Sequence, residues 1–337
     1  MARAGGILTA ADLAAYRVRE RPVLEGEYRG YRILTMPPPS SGGVHLLQML
    51  NILAGWDLRA LGHNGADHLH RLAEAMRRAY ADRSRYLGDP DFVAVPVARL
   101  LDPAYAARLR AGIDLTRATP SSSVAPGLEP APESPDTTHF AVWDEAGNVV
   151  SNTYTLNFSY GSGISVAGAG FLLNNEMDDF AAAPGVPNAY GLVGGEANAV
   201  AGGKRPLSSM TPVILLRDGE PILATGSPGG SRIITTVLQL ISNVVDFGMN
   251  LAEATAAPRI HHQWLPDVLE VEEGISPDTV ARLAAMGHRV ETAATTLGKV
   301  QSIAREGERF LGVSDYRWPG GAALSPSHLE AGCPAAP

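Results

Sequence analysis

Residues 119–136 read TPSSSVAPGLEPAPESPD. A tract so rich in proline, serine and alanine has little apolar side chain to bury, and it is expected to form a mobile, protease-accessible linker outside any core. It divides the chain into segments 1–118 and 137–337. The division falls just before Thr137-Thr138-His139-Phe140, where β-branched and aromatic residues begin an alternation that reaches Asp144. Beyond the turn Glu145-Ala146-Gly147-Asn148, a second alternating run covers Val149 to Leu156, so the pair reads as a β-hairpin with one apolar face. Thr137 therefore stands between a linker and a strand, at a sheet end where a site can be assembled on rigid elements.

With 337 residues, 45% of them hydrophobic and 18% charged, the chain can bury a sizeable core in one large domain or two. The net charge of -8 provides no basic footprint and argues against nucleic acid or an anionic membrane surface as partner. No apolar run approaches the roughly 18 residues of a membrane helix. Met1-Ala-Arg-Ala-Gly-Gly lacks the apolar core of an export signal, which taken alone points to the cytoplasm. The single cysteine, Cys333, excludes an internal disulfide and a thiolate metal cluster.

Before the linker, Thr9 is placed to cap a short helix ending near Tyr16, and Val23 to Met36 alternates about Tyr28-Arg29-Gly30 as a hairpin. Met36-Pro37-Pro38-Pro39-Ser40-Ser41-Gly42-Gly43 forms a rigid elbow that opens a helix to about Leu53. A second helix, about Asp67 to Tyr86, carries Leu69, Leu72, Ala73, Met76, Ala79 and Tyr80 at helical spacing, with arginines on the opposite side. Gly88-Asp89-Pro90-Asp91 is a turn.

After the hairpin, Gly161 to Gly170 is glycine-rich and Phe171-Leu172-Leu173 reads as a short strand leading into Asn174-Asn175-Glu176-Met177-Asp178-Asp179. These acids match no calcium loop, and a metal is not assigned to them. Ala183 to Val200 has the aperiodic, glycine- and proline-containing character of a surface lid. Lys204-Arg205-Pro206-Leu207-Ser208-Ser209-Met210 leads into a strand at Pro212 to Leu216, and a strand at Pro221 to Thr225 runs through Gly226-Ser227-Pro228-Gly229-Gly230-Ser231-Arg232 into a helix ending near Phe247. A strand, glycine turn and helix leave N–H groups free to stabilise an oxyanion, and no Gly-Lys-Ser/Thr follows to make it a phosphate loop. Helices are expected at Leu251 to Ala257 and Thr279 to Met286, and strands at Val268 to Val271, Arg289 to Thr292 and Gln301 to Ala304. The adjacent His261 and His262 diverge on either kind of element, which favours a satisfied structural role over metal ligation. From Trp318 the composition is that of a frayed end.

A threonine hydroxyl needs a base to become a nucleophile. If Thr137 were the first residue of a chain, its own α-amino group, with a reference pKa of roughly 7.7 to 8.0, could serve. That requires an internal cut, by attack of the Thr137 hydroxyl on the Asp136 carbonyl and hydrolysis of the resulting ester. On residue types alone, β-branched strand propensity explains Thr137-Thr138 equally well.

PPPSSGG, TTHF, TYTLN, NNEMDDF, PGVPNAYGLVGG, KRPLSSM and GSPGGSR occur in this order between about Gly5 and Asp315. In this, the sequence strongly resembles the γ-glutamyltranspeptidase (γ-glutamyltransferase) family. The resemblance implies an N-terminal-nucleophile hydrolase precursor that cleaves itself between Asp136 and Thr137 into large and small subunits. The implied fold class is α+β, a four-layer αββα sandwich incomplete at its N-terminus. Segment 1–118 would be the C-terminal part of the large-subunit region, 119–136 the linker, and 137–337 the small-subunit region. By motif, Thr137 is similar to the nucleophile, Thr155 to the threonine that orients it, and Gly229 and Gly230 to the amides of the oxyanion hole. Asn157, Glu176 and Asp179 match positions holding the α-amino and α-carboxylate ends of a glutamyl group, and carboxylates suit an ammonium. Ser208 and Ser209 match the pair that binds the α-carboxylate, and Tyr190 belongs to the lid.

The implied reaction is a ping-pong transfer of the γ-glutamyl group of glutathione or a related donor to water, an amino acid or a dipeptide, without a cofactor. Family precursors carry a long region before the point matching Gly5, including an export signal and an arginine for the substrate carboxylate, so a complete member would act in the periplasm or outside the cell. Two alternatives remain: a related acylase acting on β-lactam side chains, and a catalytically inactive fragment that only binds a partner. No G-x-S-x-G elbow supports a serine hydrolase.

Overall fold

The computed structural model describes residues 5–124, 137–181, 183, 186 and 194–326. Helix α1 (Ala10–Ala15) starts at Thr9, whose hydroxyl accepts from the Asp12 N–H while the Asp12 carboxylate accepts from the Thr9 N–H. Strands β1 (Leu24–Tyr28) and β2 (Tyr31–Thr35) form the expected hairpin. Arg29 and Gly30 between them both have positive φ, the backbone hand that a two-residue hairpin turn requires. Helices α2 (Gly42–Leu53) and α3 (Ala66–Tyr86) follow where periodicity placed them. Two short helices, α4 (Val97–Leu100) and α5 (Pro103–Ala111), had not been expected; the second is set by an Asp102 cap and proline at its first position.

Beyond the linker come β3 (Thr138–Trp143), β4 (Val149–Tyr154), β5 (Val213–Arg217), β6 (Glu220–Gly226) and α6 (Arg232–Val245). The chain continues through α7 (Leu251–Ala256), β7 (Ile260–His261), β8 (Leu269–Val271), α8 (Pro277–Ala285), β9 (Val290–Thr292), β10 (Gln301–Glu306) and β11 (Arg309–Ser314). The short strand expected at 171–173 is only an isolated bridge between Ser165 and Leu172. Gly163, Gly168 and Gly170 take positive φ around it, and backbone hydrogen bonds from Leu173 to Ile164 and from Val166 to Phe171 flank the bridge without forming a regular strand.

One six-stranded antiparallel sheet, in the order β1-β2-β5-β6-β10-β11, joins the two segments. The join is β2 with β5, from Arg32 opposite Leu216 to Thr35 opposite Val213. Ile33, Val213, Leu215 and Leu223 of this sheet share a buried core with Leu46, Leu47 and Leu50 of α2, Leu72 and Met76 of α3, and Ile234, Val237 and Ile241 of α6. Each such side chain contributes about 1.5–3 kcal/mol on burial. The β3–β4 hairpin packs against β5, β6 and β10. Ser151 anchors it, its hydroxyl donating to the Thr225 carbonyl (2.9 Å) and accepting from the Val213 N–H (3.2 Å). Any side chain at Gly226 would collide with the His139 ring, so glycine lets the hairpin seat. Phe140, Val142, Val150 and Tyr154, on the hairpin's opposite face, are about half exposed.

Arg71, Arg77, Arg78 and Arg83 of α3 are buried, contrary to the expectation of arginines set apart from the packed side. Glu74 pairs with both Arg77 and Arg78 and also accepts the N–H and hydroxyl of Thr119. Arg77 reaches on to Ser121 and Asp267, and the Trp264 indole donates to the Ser121 carbonyl at 2.9 Å. Internal partners therefore replace water for the Arg77 and Arg78 guanidiniums, something a hydrophobic period does not register. The same bonds fasten the start of the linker at 119–121. His261 and His262 are likewise satisfied, His261 by Thr235 and Gln263 and His262 by Asp267 and the Trp264 N–H, and burial lowers both pKa values to about 4.

Replacing Glu74 with alanine leaves buried Arg78 without its carboxylate partner and Arg77 with Asp267 alone. The expected loss in chemical denaturation is about 3–5 kcal/mol, and an unchanged unfolding midpoint would show that the cluster carries no such charge pairing.

Candidate active site

Thr137 immediately precedes β3 and Thr155 immediately follows β4; because Thr138 pairs with Tyr154, the hairpin register sets the two threonines side by side. The Thr137 hydroxyl donates to Thr155 Oγ1 at 3.3 Å, and Thr155 Oγ1 also accepts the Asn157 N–H at 2.8 Å. Asn157 has a φ of 71°, a left-handed conformation that asparagine tolerates better than most residues. Its carboxamide donates to the Asn175 carbonyl (3.2 Å), and the Asn175 side chain accepts the Phe158 N–H (3.0 Å). These bonds tie the end of the hairpin to the 3₁₀ turn Glu176–Asp179.

The proline-serine-glycine elbow is a docking rail for residues 208–210. Ser41 N–H donates to the Ser208 carbonyl (2.8 Å) and Ser208 N–H to the Pro39 carbonyl (3.1 Å). The hydroxyls of Ser40 and Ser41 donate to the carbonyls of Met210 (2.6 Å) and Ser208 (2.7 Å). A side chain at Gly42 would strike the Met210 carbonyl, which explains glycine at the start of α2. Gly229 and Gly230 form the turn from β6 to α6 with φ values of 139° and 56°, open to glycine alone or nearly so. Their carbonyls accept from Arg232 and Ile233, and their N–H groups have no acceptor among the described residues.

Thr137, Thr155, Asn157, Asp179, Ser208, Ser209 and Gly230 line one small pocket of about 20 Å³, together with Arg83, Leu207, Met210, Ser231 and Ile233. Gly229 and Glu176 adjoin it through Gly230 and Asp179 without lining it, and Asp136 and Tyr190 lie outside the described residues. A larger crevice of about 730 Å³ runs along β3, β10 and β11, walled by Trp143, Phe310 and Trp318, and shares only Thr137 with the candidate residues.

Burial raises the pKa of Glu176, while burial and repulsion by Glu176 raise that of Asp179 well above the ordinary carboxyl range. A positive group brought between these acids would relieve both. Arg83 opposes the shift at Asp179. Burial lowers the pKa of His139 to about 3, and its Nδ1 lies 2.8 Å from the Thr153 hydroxyl, so the imidazole is neutral and engaged by the sheet. Away from the pocket, potential ligand atoms of His70, Glu74 and His288 lie within 4.8 Å of one another, with the Glu74 carboxylate already engaged by Arg77, Arg78 and Thr119.

Sequence reasoning missed Arg83 and the elbow serines. Arg83 is one arginine among several on α3, with no local signal to separate it. The elbow stood out as a motif whose partner, 208–210, is distant in sequence.

Because its folded-state pKa is raised, Asp179 supports the fold fully only while protonated, and that contribution is lost as pH rises through the folded pKa. Asp179→Asn should therefore melt with wild type in acid below the ordinary carboxyl range and above wild type at neutral pH. A pH-independent offset in thermal melts would contradict the raised pKa.

The gamma-glutamyltranspeptidase family model matches residues 1–325. The glutathione hydrolase proenzyme of Escherichia coli (strain K12) is 55% identical over 319 residues, covering 94% of this chain and 55% of that protein. A cephalosporin acylase from Bacillus halodurans matches in structure with a TM-score of 0.79 at 29% identity, over 94% of this chain and 55% of that one. The Helicobacter pylori gamma-glutamyltranspeptidase T380A mutant matches with a TM-score of 0.52 at 54% identity, over 54% of this chain and 100% of that one. The chain spans about half the length of the curated relatives it matches.

Proposed function

The chain belongs to the γ-glutamyltranspeptidase family, and from that premise we propose that it is the nucleophile-bearing part of a γ-glutamyl acyltransferase and glutathione hydrolase. In this reading the Thr137 hydroxyl attacks the Asp136 carbonyl, the peptide nitrogen leaves as an amine, and water hydrolyses the ester. Segment 1–118 then belongs to a large subunit, 119–136 ends at the cut, and 137–337 is the small subunit. The H. pylori chain, wholly matched by just over half of this one, supports that division. The architecture we propose is the four-layer αββα sandwich, with α2 and α6 covering one face of the six-stranded sheet and the β3–β4 hairpin belonging to the second sheet.

The observation that carries the reading is the Thr137–Thr155 hydroxyl contact inside a pocket that also holds Asn157, Asp179, Ser208, Ser209 and Gly230. The freed α-amine of Thr137 takes the hydroxyl proton, and Oγ1 attacks the γ-carbonyl carbon of the donor. The N–H groups of Gly229 and Gly230 receive the oxyanion. The amine leaving group departs with the proton, leaving a γ-glutamyl ester on Thr137 that water or an acceptor amine resolves. Asn157, Glu176 and Asp179 hold the α-amino and α-carboxylate ends of the donor's glutamyl group, Ser208 and Ser209 bind its α-carboxylate, and Tyr190 belongs to the lid. These steps call on no cofactor. Among the described residues no helix is long and apolar enough to cross a membrane.

The likeness to a cephalosporin acylase favours a second reading, in which a glutaryl side chain is removed from a β-lactam. A glutaryl group has no α-ammonium, so it leaves Glu176 and Asp179 without a cation. Greater release from γ-glutamyl-p-nitroanilide than from glutaryl-p-nitroanilide is the expected result, and the reverse order selects the acylase. Thr137→Ala should abolish turnover. Thr155→Val should lower kcat about 10²-fold through misplacement of the nucleophile, and wild-type kinetics in either variant would refute its role.

A further inference from the structure

Arg83 lies in the last turn of α3, is 4% exposed, and forms part of the pocket wall beside Thr137, Asp179 and Ser209. Its guanidinium reaches two hydroxyls at once: Nε donates to Ser41 Oγ at 2.8 Å and an Nη to Ser209 Oγ at 3.0 Å. The Ser41 hydroxyl in turn donates to the Ser208 carbonyl. One cation thus grips the Ser208-Ser209 pair from both sides, through the backbone of the first and the side chain of the second.

A serine hydroxyl has one proton and two lone pairs. With a lone pair of Ser209 Oγ taken up by Arg83, the hydroxyl proton is what remains to be offered, and it has no acceptor among the described residues. A neighbouring cation also polarises the O–H bond and favours an anion at its far end. Asp179 lines the same pocket as this serine, and Glu176 adjoins it through Asp179. Arginine suits the task where lysine does not, because its planar fork presents donors in fixed directions to two oxygens.

We propose that Arg83 is a positioning residue that fixes Ser209 as a hydrogen-bond donor and makes this corner of the pocket selective for a donor substrate bearing an α-carboxylate. The inference rests on the γ-glutamyl reading above and extends it to the residue that sets substrate class.

The test compares two donors on the processed protein: γ-glutamyl-p-nitroanilide, and 4-aminobutyryl-p-nitroanilide, which lacks only the α-carboxylate. Arg83→Gln should raise KM for the first about tenfold, the worth of one hydrogen bond to a charged group. It should leave kcat within about threefold and kcat/KM for the second donor unchanged. The preference ratio falls accordingly, Arg83→Lys restores it only in part, and adding Arg83→Gln to Ser209→Ala costs nothing further. Equal losses on both donors, or an unchanged ratio, overturn the proposal by making Arg83 merely structural. Should Arg83→Gln fail to accumulate, Ser41→Ala, which removes the other anchor of the guanidinium, must lower the same ratio, and an unchanged ratio there is equally fatal. Absence of any γ-glutamyl release by the wild type defeats both readings, whereas release with an unchanged ratio defeats this one alone.

Discussion

The pairing of β2 with β5 is the constraint on which the rest of the molecule depends, because it is where the segment before the linker becomes inseparable from the segment after it. Neither segment owns the six-stranded sheet. The helices over that sheet also come from both, α2 and α3 from the first and α6 from the second. The elbow at 39–42 then threads hydrogen bonds onto Ser208 and Met210, and the Arg77 cluster locks Ser121 to Asp267. A chain built this way can lose a peptide bond between residues 124 and 137 without losing any of these contacts. That tolerance is what a self-processing precursor needs.

The same shared framework brings together groups that are far apart in sequence. Hairpin register provides the threonine pair, a left-handed Asn157 folds the chain back toward Glu176 and Asp179, and the elbow presents Ser208 and Ser209. The result is a pocket that sets a carboxyl raised in pKa, Asp179, beside an arginine-held serine, Ser209. Holding two partly buried carboxyls close together costs stability, which is why their pKa values are raised.

Much of the fold was legible because its signals are local. Thr9 and Asp12 form a cap within one turn, Arg29-Gly30 and Glu145 to Asn148 mark hairpins, and α2, α3 and α6 carry apolar periods over several turns. What escaped lacked such signals: α4 and α5 are short with little apolar stripe, β7 is two residues long, and β11 is interrupted by Gly312. The burial of the α3 arginines depends on partners up to 190 residues away, which no periodicity encodes. The candidate site was legible as a set of motifs, and the pocket gathers most of them. The elbow's purpose and Arg83 emerge only when residues 41, 83 and 209 are seen together, since each is unremarkable in its own stretch.

The central claim is that Thr137 acts as the first residue of its own chain, with hydroxyl and amine on one exposed terminus. Intact-mass and N-terminal analysis of a catalytically active preparation tests it most directly. The account requires two co-purifying polypeptides, one of them beginning Thr137-Thr138-His139-Phe140. An active preparation in which the Asp136–Thr137 bond is whole would contradict it.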